Sequence, residues 1–321
     1  MSGYRVCVYG AGGVGGYLAA RLAQNGVDVT VIARGEHLRA IREKGLFLTS
    51  VAGDYHASVK ATDNTSEVGI VDLIIICCKS WQVPDIAMTL PPMIGEHTVV
   101  VPTQNGVEAP EQLANVVGGE RVFGGYIRIM ALIQAAGHVV HNGVPQAEFG
   151  VGILPGVGRG EQQLERMREA FCGTVGLFLK IEADIRMRMW WKLIYIGSVS
   201  GVCAAARATF GEVCTCQQAA ALLKAVATEM FSVAEASGVV FPSGEAERIA
   251  HQHSELGKNT PNNTPSMMRD FDKGGPSEVE NQLGTVVRYA ARHALKVPNV
   301  AALYAILLVQ ERKHRLAHHV M

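Results

Sequence analysis

The sequence lacks an excess of charge of either sign, and no long run of one charge occurs in it. Lys and Arg together number 29, and so do Asp and Glu, which leaves a formal net charge of +0. Nucleic-acid-binding domains usually carry a basic patch, because phosphates attract Lys and Arg. The balanced composition therefore argues against nucleic acid as a partner.

Long apolar runs, a disulfide pattern and a metal-ligand pattern are also missing. The longest apolar runs, near residues 71–78, are far shorter than the roughly 20 residues of a membrane span. The seven cysteines are an odd count and lie in apolar segments, which indicates reduced core thiols. Cys214 and Cys216 are too close for the usual spacing of metal ligands. Five histidines lack a cysteine or carboxylate frame around them: His251, His253, His314, His318 and His319. We expect a soluble cytoplasmic protein with no membrane segment and no metal.

The first half of the chain alternates between strand and helix patterns. A short apolar run at residues 4–9 ends in glycines, and helical spacing followed by a β-branched run at residues 27–32 completes a βαβ unit. Further patterns predict a hairpin at residues 46–60, strands at 71–77 and 98–101 with a helix broken at Pro91-Pro92 between them, strand-like runs at 122–152, and a last strand at 177–181. After Asp184 only helical patterns occur.

The glycine-rich turn Gly10-Ala11-Gly12-Gly13-Val14-Gly15 connects the first strand to the first helix. In this context Gly10 permits a tight turn, Gly12 allows a pyrophosphate to approach the backbone, and Gly15 lets helix and strand pack closely. A glycine-rich turn without a ligand is the alternative. The pattern predicts an α/β fold, with a Rossmann-like dinucleotide-binding domain at residues 1–183 and an all-helical domain at residues 184–321.

Three further positions lie where strands end and ligands usually bind in such sheets. Arg34 follows the second strand in place of the carboxylate typical of NAD binding, although Glu36 stands nearby, and this favours the 2′-phosphate of NADP. Lys79 is either a cofactor ligand or a solvated loop lysine. Asn105-Gly106 fits ligand binding and ordinary turn chemistry about equally well.

Lys192 and Glu278 are unremarkable when each is considered alone, but the order of all these elements is informative. With the glycine turn and Arg34, the elements Lys79-Ser80-Trp81-Gln82, Asn105-Gly106, Trp190-Trp191-Lys192-Leu193, Ser266 and Glu278 occur in one family's order. Over nearly its full length the chain resembles the ketopantoate reductases. The resemblance implies reduction of 2-dehydropantoate to (R)-pantoate with NADPH, a step of pantothenate and coenzyme A biosynthesis.

The same resemblance implies a role for each site residue. Lys192 would be the general acid, Asn105 would support Lys192 and contact the substrate, and Ser266 would bind the substrate carboxylate. Glu278 would orient the lysine or the substrate hydroxyl, and Asn105 and Glu278 would also contact the cofactor. The resemblance allows a homodimer.

Two positions depart from the family pattern. Ile196 and Ser200 stand where well-matched members carry asparagines expected to contact substrate, and we still count Ser200 among the substrate-binding residues. An isoleucine cannot supply the donor and acceptor of an amide, which puts the substrate in question. The alternatives are a relative that reduces a different small 2-oxo acid or ketone, and a non-catalytic NADPH-binding regulator.

Overall fold

The structure is a computed structural model that describes residues 3–157 and 160–319. The chain divides into two compact units. The first unit comprises Met1–Gln104 and Ala109–Ile185, and the second comprises Asn105–Glu108 and Arg186–Met321. The sequence pattern places a division after Ala183, and it does not assign the short segment Asn105–Glu108 to the helical part.

In the residues that the structure describes, the first unit holds three β-sheets and the helices that cover them. Its strands are β1 (Arg5–Tyr9), β2 (Asp28–Ile32), β3 (Leu46–Ser50), β4 (Tyr55–Ala57), β5 (Lys60–Thr62), β6 (Leu73–Ile76), β7 (Val99–Pro102), β8 (Gly124–Arg128), β9 (Met130–Ala135), β10 (His138–Asn142), β11 (Ala147–Gly152) and β12 (Leu177–Ile181). Its α-helices are α1 (Gly13–Gln24), α2 (Gly35–Lys44), α3 (Val83–Ala87), α4 (Ala109–Val117) and α5 (Glu161–Phe171).

The largest sheet is parallel, with strand order β5-β2-β1-β6-β7. Both of its faces are covered, because neighbouring side chains of one strand enter different cores. Leu73 and Ile75 of β6 pack into the core that includes α1, whereas Ile74 and Ile76 pack into the core that includes α3 and α4. A continuous apolar run is what a strand buried on both faces requires. The predicted α/β fold is confirmed.

The predicted hairpin is confirmed over part of its length. β3 and β4 pair antiparallel, with Leu46 opposite Ala57. Residues 60–62, which the pattern includes in the hairpin, instead form β5 and pair with β2 in the parallel sheet. The hairpin belongs to a second sheet of order β4-β3-β10-β9, and the third sheet has the order β12-β11-β8.

In its described part the second unit contains helices and connecting loops but no strand. It contains α6 (Ile185–Ala206), α7 (Phe210–Thr215), α8 (Gln217–Ala236), α9 (Glu245–Asn259), α10 (Ser266–Asp272), a π-helical turn (Glu280–Gly284), α11 (Thr285–Arg292) and α12 (Pro298–His319). By length and composition alone α6 could cross a membrane, but 72% of its most apolar window is buried inside the protein. The buried residues Leu193, Ile194 and Val199 of α6 belong to the apolar core of this unit.

Candidate active site

The glycine turn is held at the carboxyl end of the parallel sheet by backbone hydrogen bonds. The N–H groups of Gly10 and Ala11 both donate to the carbonyl oxygen of Ile32, at 3.0 and 3.2 Å. Gly10 has a φ of +100°, and a Cβ atom there would lie 3.1 Å from the Cys78 backbone nitrogen. The first glycine therefore permits a turn that an L side chain would strain, as predicted.

The next glycines have different surroundings. A Cβ atom on Gly12 would meet no atom within 4 Å, whereas one on Gly15 would lie 1.9 Å from the Gly10 carbonyl oxygen. At Gly13 it would lie 2.5 Å from the carbonyl oxygen of Ala131 on β9. Gly15 thus permits close packing against the turn, and Gly13 permits contact with the second sheet, a reason that the motif alone does not reveal.

The start of α1 fits a dinucleotide phosphate. Gly12 is the N-cap, no side chain caps the helix, and its first turn contains no acidic residue. Free N–H groups and the positive end of the helix dipole favour an anion at such a terminus. The space beside Gly12 allows an anion to approach the backbone, so the cradle suits the predicted cofactor; the individual contacts of residues 10–15 stay predictions.

Arg34 lies directly after β2, at the N-cap of α2, with an exposed side chain. The nearby carboxylate of Glu36 forms an ion pair with Arg39, one helical turn further along. Within the described residues, no acidic group pairs with the Arg34 guanidinium. The carboxylate of Glu36 is therefore engaged elsewhere, and Arg34 is exposed at the position predicted for a 2′-phosphate contact.

Lys79 follows β6 and is half-buried, with its Nζ atom 5.7 Å from the centre of the Trp81 ring. Its backbone N–H donates to the Gln82 side-chain oxygen at 3.2 Å, which fixes the start of the following turn. A residue that the sequence analysis missed also organises this edge: the buried Gln104 amide donates to the carbonyls of Ile76 and Cys78, at 3.0 and 2.9 Å. No spacing pattern distinguishes Gln104 from an ordinary loop glutamine.

A half-buried thiol, that of Cys77, lies at the same end of the sheet. Burial raises the pKa of Cys77 to about 12, so the thiol is uncharged at neutral pH. A Cβ atom on Gly15 would lie 3.0 Å from the Cys77 Cβ atom, which places this residue next to the glycine turn. A neutral sulfur at this place adds no negative charge that would repel a phosphate.

In the helical unit the structure brings two predicted site residues together. The side-chain amide of Asn105 donates to Oε2 of Glu278 at 3.3 Å. Glu278 is buried, with 6% of its surface exposed, and Asn105 is half-buried. A buried carboxylate that accepts an amide N–H has its orientation fixed, as a catalytic or binding group requires.

Further contacts hold the Asn105 segment in this unit. A Cβ atom on Gly106 would lie 3.0 Å from the carbonyl oxygen of Asn281, so a side chain here would require the backbone to shift by a few tenths of an ångström. Three residues after Asn105, Glu108 accepts hydrogen bonds at 2.8 Å from the Thr285 hydroxyl and from the Arg288 guanidinium. Residues 105–108 therefore pack against the π-helical turn and α11. No sequence pattern predicts this packing.

Lys192 lies on α6 and is half-buried between the buried residues Trp191 and Leu193. The Trp191 indole N–H donates to Glu245 at 2.6 Å, and its ring stacks on Tyr195 at 5.6 Å between centres. These contacts fix the turn of α6 that carries Lys192. The predicted catalytic role of Lys192 stays a prediction.

The remaining substrate-binding candidates differ in accessibility. Ile196, half-buried, lies four residues after Lys192 and so on the same face of α6. Ser200 is completely buried, and its hydroxyl has no hydrogen-bond partner among the described residues. Ser266 is half-buried and begins α10. In this conformation Ser266 is accessible to a ligand and Ser200 is not. Among the described residues, no three His, Cys, Asp or Glu side chains converge as a metal site would require.

Comparison with known sequences identifies the family. The family model for ketopantoate reductase PanE/ApbA matches residues 6–156, and the model for its C-terminal domain matches residues 184–311. The chain belongs to the ketopantoate reductase family. A 2-dehydropantoate 2-reductase of Mesorhizobium japonicum is 26% identical over 324 residues, a match that covers 94% of this chain and 96% of the relative.

Solved structures agree with this membership. A PanE/ApbA family ketopantoate reductase from Ralstonia eutropha JMP134 has a TM-score of 0.86 and 27% identity, covering 97% of this chain and 99% of that one. A D-mandelate dehydrogenase, solved with NADH and anilino(oxo)acetate, also has a TM-score of 0.86 over the same shares of the two chains, but at 19% identity it supports the fold alone. Ketopantoate reductases are oxidoreductases that act on CH–OH groups with a nicotinamide dinucleotide, and the predicted resemblance is confirmed.

Proposed function

We propose that this protein reduces a small 2-oxo acid with NADPH, and that its substrate is 2-dehydropantoate, which becomes (R)-pantoate. The contact that carries the proposal is the hydrogen bond from Asn105 to the buried carboxylate of Glu278. It fixes two of the residues that the family pattern assigns to the site, and the chain retains Lys192 as the third. We place the enzyme in pantothenate biosynthesis.

The cradle at the start of α1 would hold the pyrophosphate, and Arg34 would bind the 2′-phosphate. A planar guanidinium can donate two parallel hydrogen bonds to a phosphate, and Glu36 does not compete because Arg39 engages it. When bound, the reduced nicotinamide supplies a hydride to the keto carbon. Lys79, Asn105 and Glu278 are the further residues that we assign to the cofactor.

Lys192 would manage the charge that develops during the reduction. Negative charge builds on the keto oxygen as the carbon is reduced, and an ammonium group both stabilises this charge and donates the proton that yields the alcohol. Glu278, oriented by Asn105, would fix the lysine or the substrate hydroxyl. Ser266, at the start of α10, would donate to the substrate carboxylate.

A second candidate substrate is an apolar 2-oxo acid. Ile196 shares a face of α6 with Lys192 and offers no hydrogen-bonding group, so an apolar substituent would pack there better than a hydroxyl. One structural neighbour is a D-mandelate dehydrogenase. Benzoylformate is the 2-oxo acid that corresponds to mandelate, so we take it as the representative of this class.

A panel of 2-oxo acids, assayed through the loss of NADPH absorbance, separates the two candidates. We expect 2-dehydropantoate to have the highest kcat/KM of the panel. A higher value for benzoylformate would replace the proposed substrate and keep the reaction. No turnover with any 2-oxo acid would instead favour the non-catalytic regulator.

We further propose a cytoplasmic location. All seven cysteines are free, and Cys7, Cys77 and Cys203 have pKa values raised to about 12 by burial. Such thiols are inert and persist in a reducing compartment. Oxidation-state analysis of the protein in its own cell would test this, since a disulfide would contradict the proposed location.

A further inference from the structure

His37, on the first turn of α2, makes two hydrogen bonds that join distant parts of the first unit. One ring nitrogen, Nε2, lies 2.8 Å from the carbonyl oxygen of Ala11 in the glycine turn. The other, Nδ1, lies 3.0 Å from the backbone nitrogen of Gly137, in the turn between β9 and β10. The ring therefore connects the glycine turn to the second sheet through α2.

The Gly137 contact determines which tautomer is present. The Gly137 N–H can only donate, so Nδ1 must accept and cannot carry a proton. In the neutral ring the proton then lies on Nε2, and it is donated to Ala11. Burial also lowers the pKa of His37 and favours this neutral ring. The charged groups on the same helix and at its N-cap all have exposed side chains; they are Arg34, Glu36, Arg39, Arg42, Glu43 and Lys44.

The Ala11 carbonyl matters because it shares a planar peptide unit with the Gly12 N–H. In a trans peptide the C=O and the following N–H point in opposite directions. A ring that holds the Ala11 oxygen therefore turns the Gly12 N–H away from α2. The N–H groups of Gly10 and Ala11 already donate to Ile32, and within the described residues the Gly12 N–H has no acceptor. It is the first N–H of the turn that is left for a ligand.

We propose that His37 is a positioning residue for the cofactor: by holding the Ala11 carbonyl, it aims the Gly12 N–H at the dinucleotide pyrophosphate. The inference rests on the dinucleotide cofactor of the proposed function and deepens it, and it is independent of which 2-oxo acid is reduced. If His37 served only to pack α2 against the second sheet, cofactor binding would depend on its hydrogen bond with Gly137 and not on the one with Ala11.

Two substitutions separate the two bonds. His37→Gln keeps an amide N–H within reach of Ala11 and loses the acceptor for Gly137. His37→Asn keeps an acceptor near Gly137 and cannot reach Ala11. The matched control is His56→Asn, because the exposed His56 ring also contacts a backbone carbonyl, that of Lys44, away from the glycine turn.

The measurement is fluorescence titration of each variant with NADPH and NADH, and competition by adenosine 2′-monophosphate, which lacks the pyrophosphate. We expect His37→Asn to raise both dinucleotide Kd values by the same factor, roughly 3- to 10-fold for one lost hydrogen bond. Adenosine 2′-monophosphate should bind unchanged. His37→Gln and His56→Asn should stay within about 2-fold of the wild type, well below the effect of a lost hydrogen bond.

The inference is overturned if His37→Asn leaves the dinucleotide Kd values unchanged, or if His37→Gln raises them as much as His37→Asn does. It is also overturned if His37→Asn raises the Kd of adenosine 2′-monophosphate by the same factor as that of the dinucleotides. A wild type that binds neither dinucleotide would instead overturn the cofactor assignment. The amide resonance of Gly12 gives a second, direct readout. Adding NADH should shift it strongly in the wild type and in His37→Gln and weakly in His37→Asn, and equal shifts in all three would contradict the proposed aim of this N–H.

Discussion

Gly12 and Gly13 are neighbours for which the structure predicts opposite effects of the same substitution to alanine. Gly12 has a φ of −64° and Gly13 is the first residue of α1, so a methyl group adds no backbone strain at either position. The difference lies in what the methyl would touch. On Gly12 it enters open space, and on Gly13 it would lie 2.5 Å from the Ala131 carbonyl oxygen and 2.7 Å from the Leu132 Cα atom.

The expected magnitudes follow from these contacts. Backbone atoms of β9 cannot rotate away, so Gly13→Ala must move α1 relative to β9, and overpacking of this kind costs about 1–3 kcal/mol. For a unit of this size that corresponds to a fall in Tm of roughly 2–10 °C. Gly12→Ala should leave Tm unchanged or raise it slightly, since alanine restricts the unfolded chain.

For cofactor affinity we expect the opposite order, with a larger effect of Gly12→Ala than of Gly13→Ala. The Gly12 methyl occupies the space through which a phosphate reaches the backbone, and a steric cost of about 1–3 kcal/mol raises Kd by roughly 5- to 150-fold. The assays are thermal unfolding without cofactor and fluorescence titration with NADPH. A Gly12→Ala variant that unfolds as early as Gly13→Ala, or that binds NADPH as the wild type does, would refute the assignment of the open space to the cofactor.

Four further predictions concern the site and the titratable groups. Lys192→Ala should lower kcat by about 10²- to 10⁴-fold, the usual contribution of a general acid, with the Kd of NADPH nearly unchanged; unaltered turnover would refute the role. Arg34→Met should raise the Kd of NADPH by roughly 10- to 100-fold and leave that of NADH nearly unchanged, and an equal effect on both would remove the NADP preference. Ile196→Asn should raise kcat/KM for 2-dehydropantoate relative to benzoylformate by roughly 5-fold, and a fall in this ratio would show that the residue does not set substrate choice. Burial lowers the pKa values of His37 and His253 below the ordinary 6.5, so the folded protein keeps both rings neutral to a lower pH than the unfolded chain does. Their contribution to the free energy of unfolding is present above pH 6.5 and is lost as the pH falls through their folded pKa values; urea titrations at pH 7.5 and 5.5 would show this, and equal stabilities at the two pH values would contradict it.

The local architecture could be predicted from the sequence because its signals are local. Apolar runs, glycines and helical spacing mark the βαβ unit, and alternating apolar and polar residues mark the hairpin at residues 46–60. The arrangement of strands into three sheets could not be predicted in this way. β10 pairs with β3 in parallel, with His138 opposite Phe47, and no local pattern encodes a partner that far along the chain. The sequence pattern places residues 60–62 in the hairpin for the same reason, because their partner strand β2 is distant in sequence.

In the site, too, some residues could be predicted from the sequence and others could not. The order of the motifs suggests Asn105 and Glu278, and the structure joins them in one hydrogen bond. The residues that support such groups were missed. His37 and Gln104 act on backbone carbonyls, and Glu108 and Arg288 pair with each other across 180 residues, so neither kind of contact leaves a spacing pattern.

The central claim is tested most directly by steady-state kinetics with 2-dehydropantoate, comparing NADPH and NADH as the reductant. The account predicts that 2-dehydropantoate supports rapid oxidation of NADPH, with a kcat/KM at least about 10-fold above that with NADH, as expected where one charge-assisted contact separates the two cofactors. Failure of 2-dehydropantoate to support oxidation of either cofactor, while another 2-oxo acid does so, would contradict it.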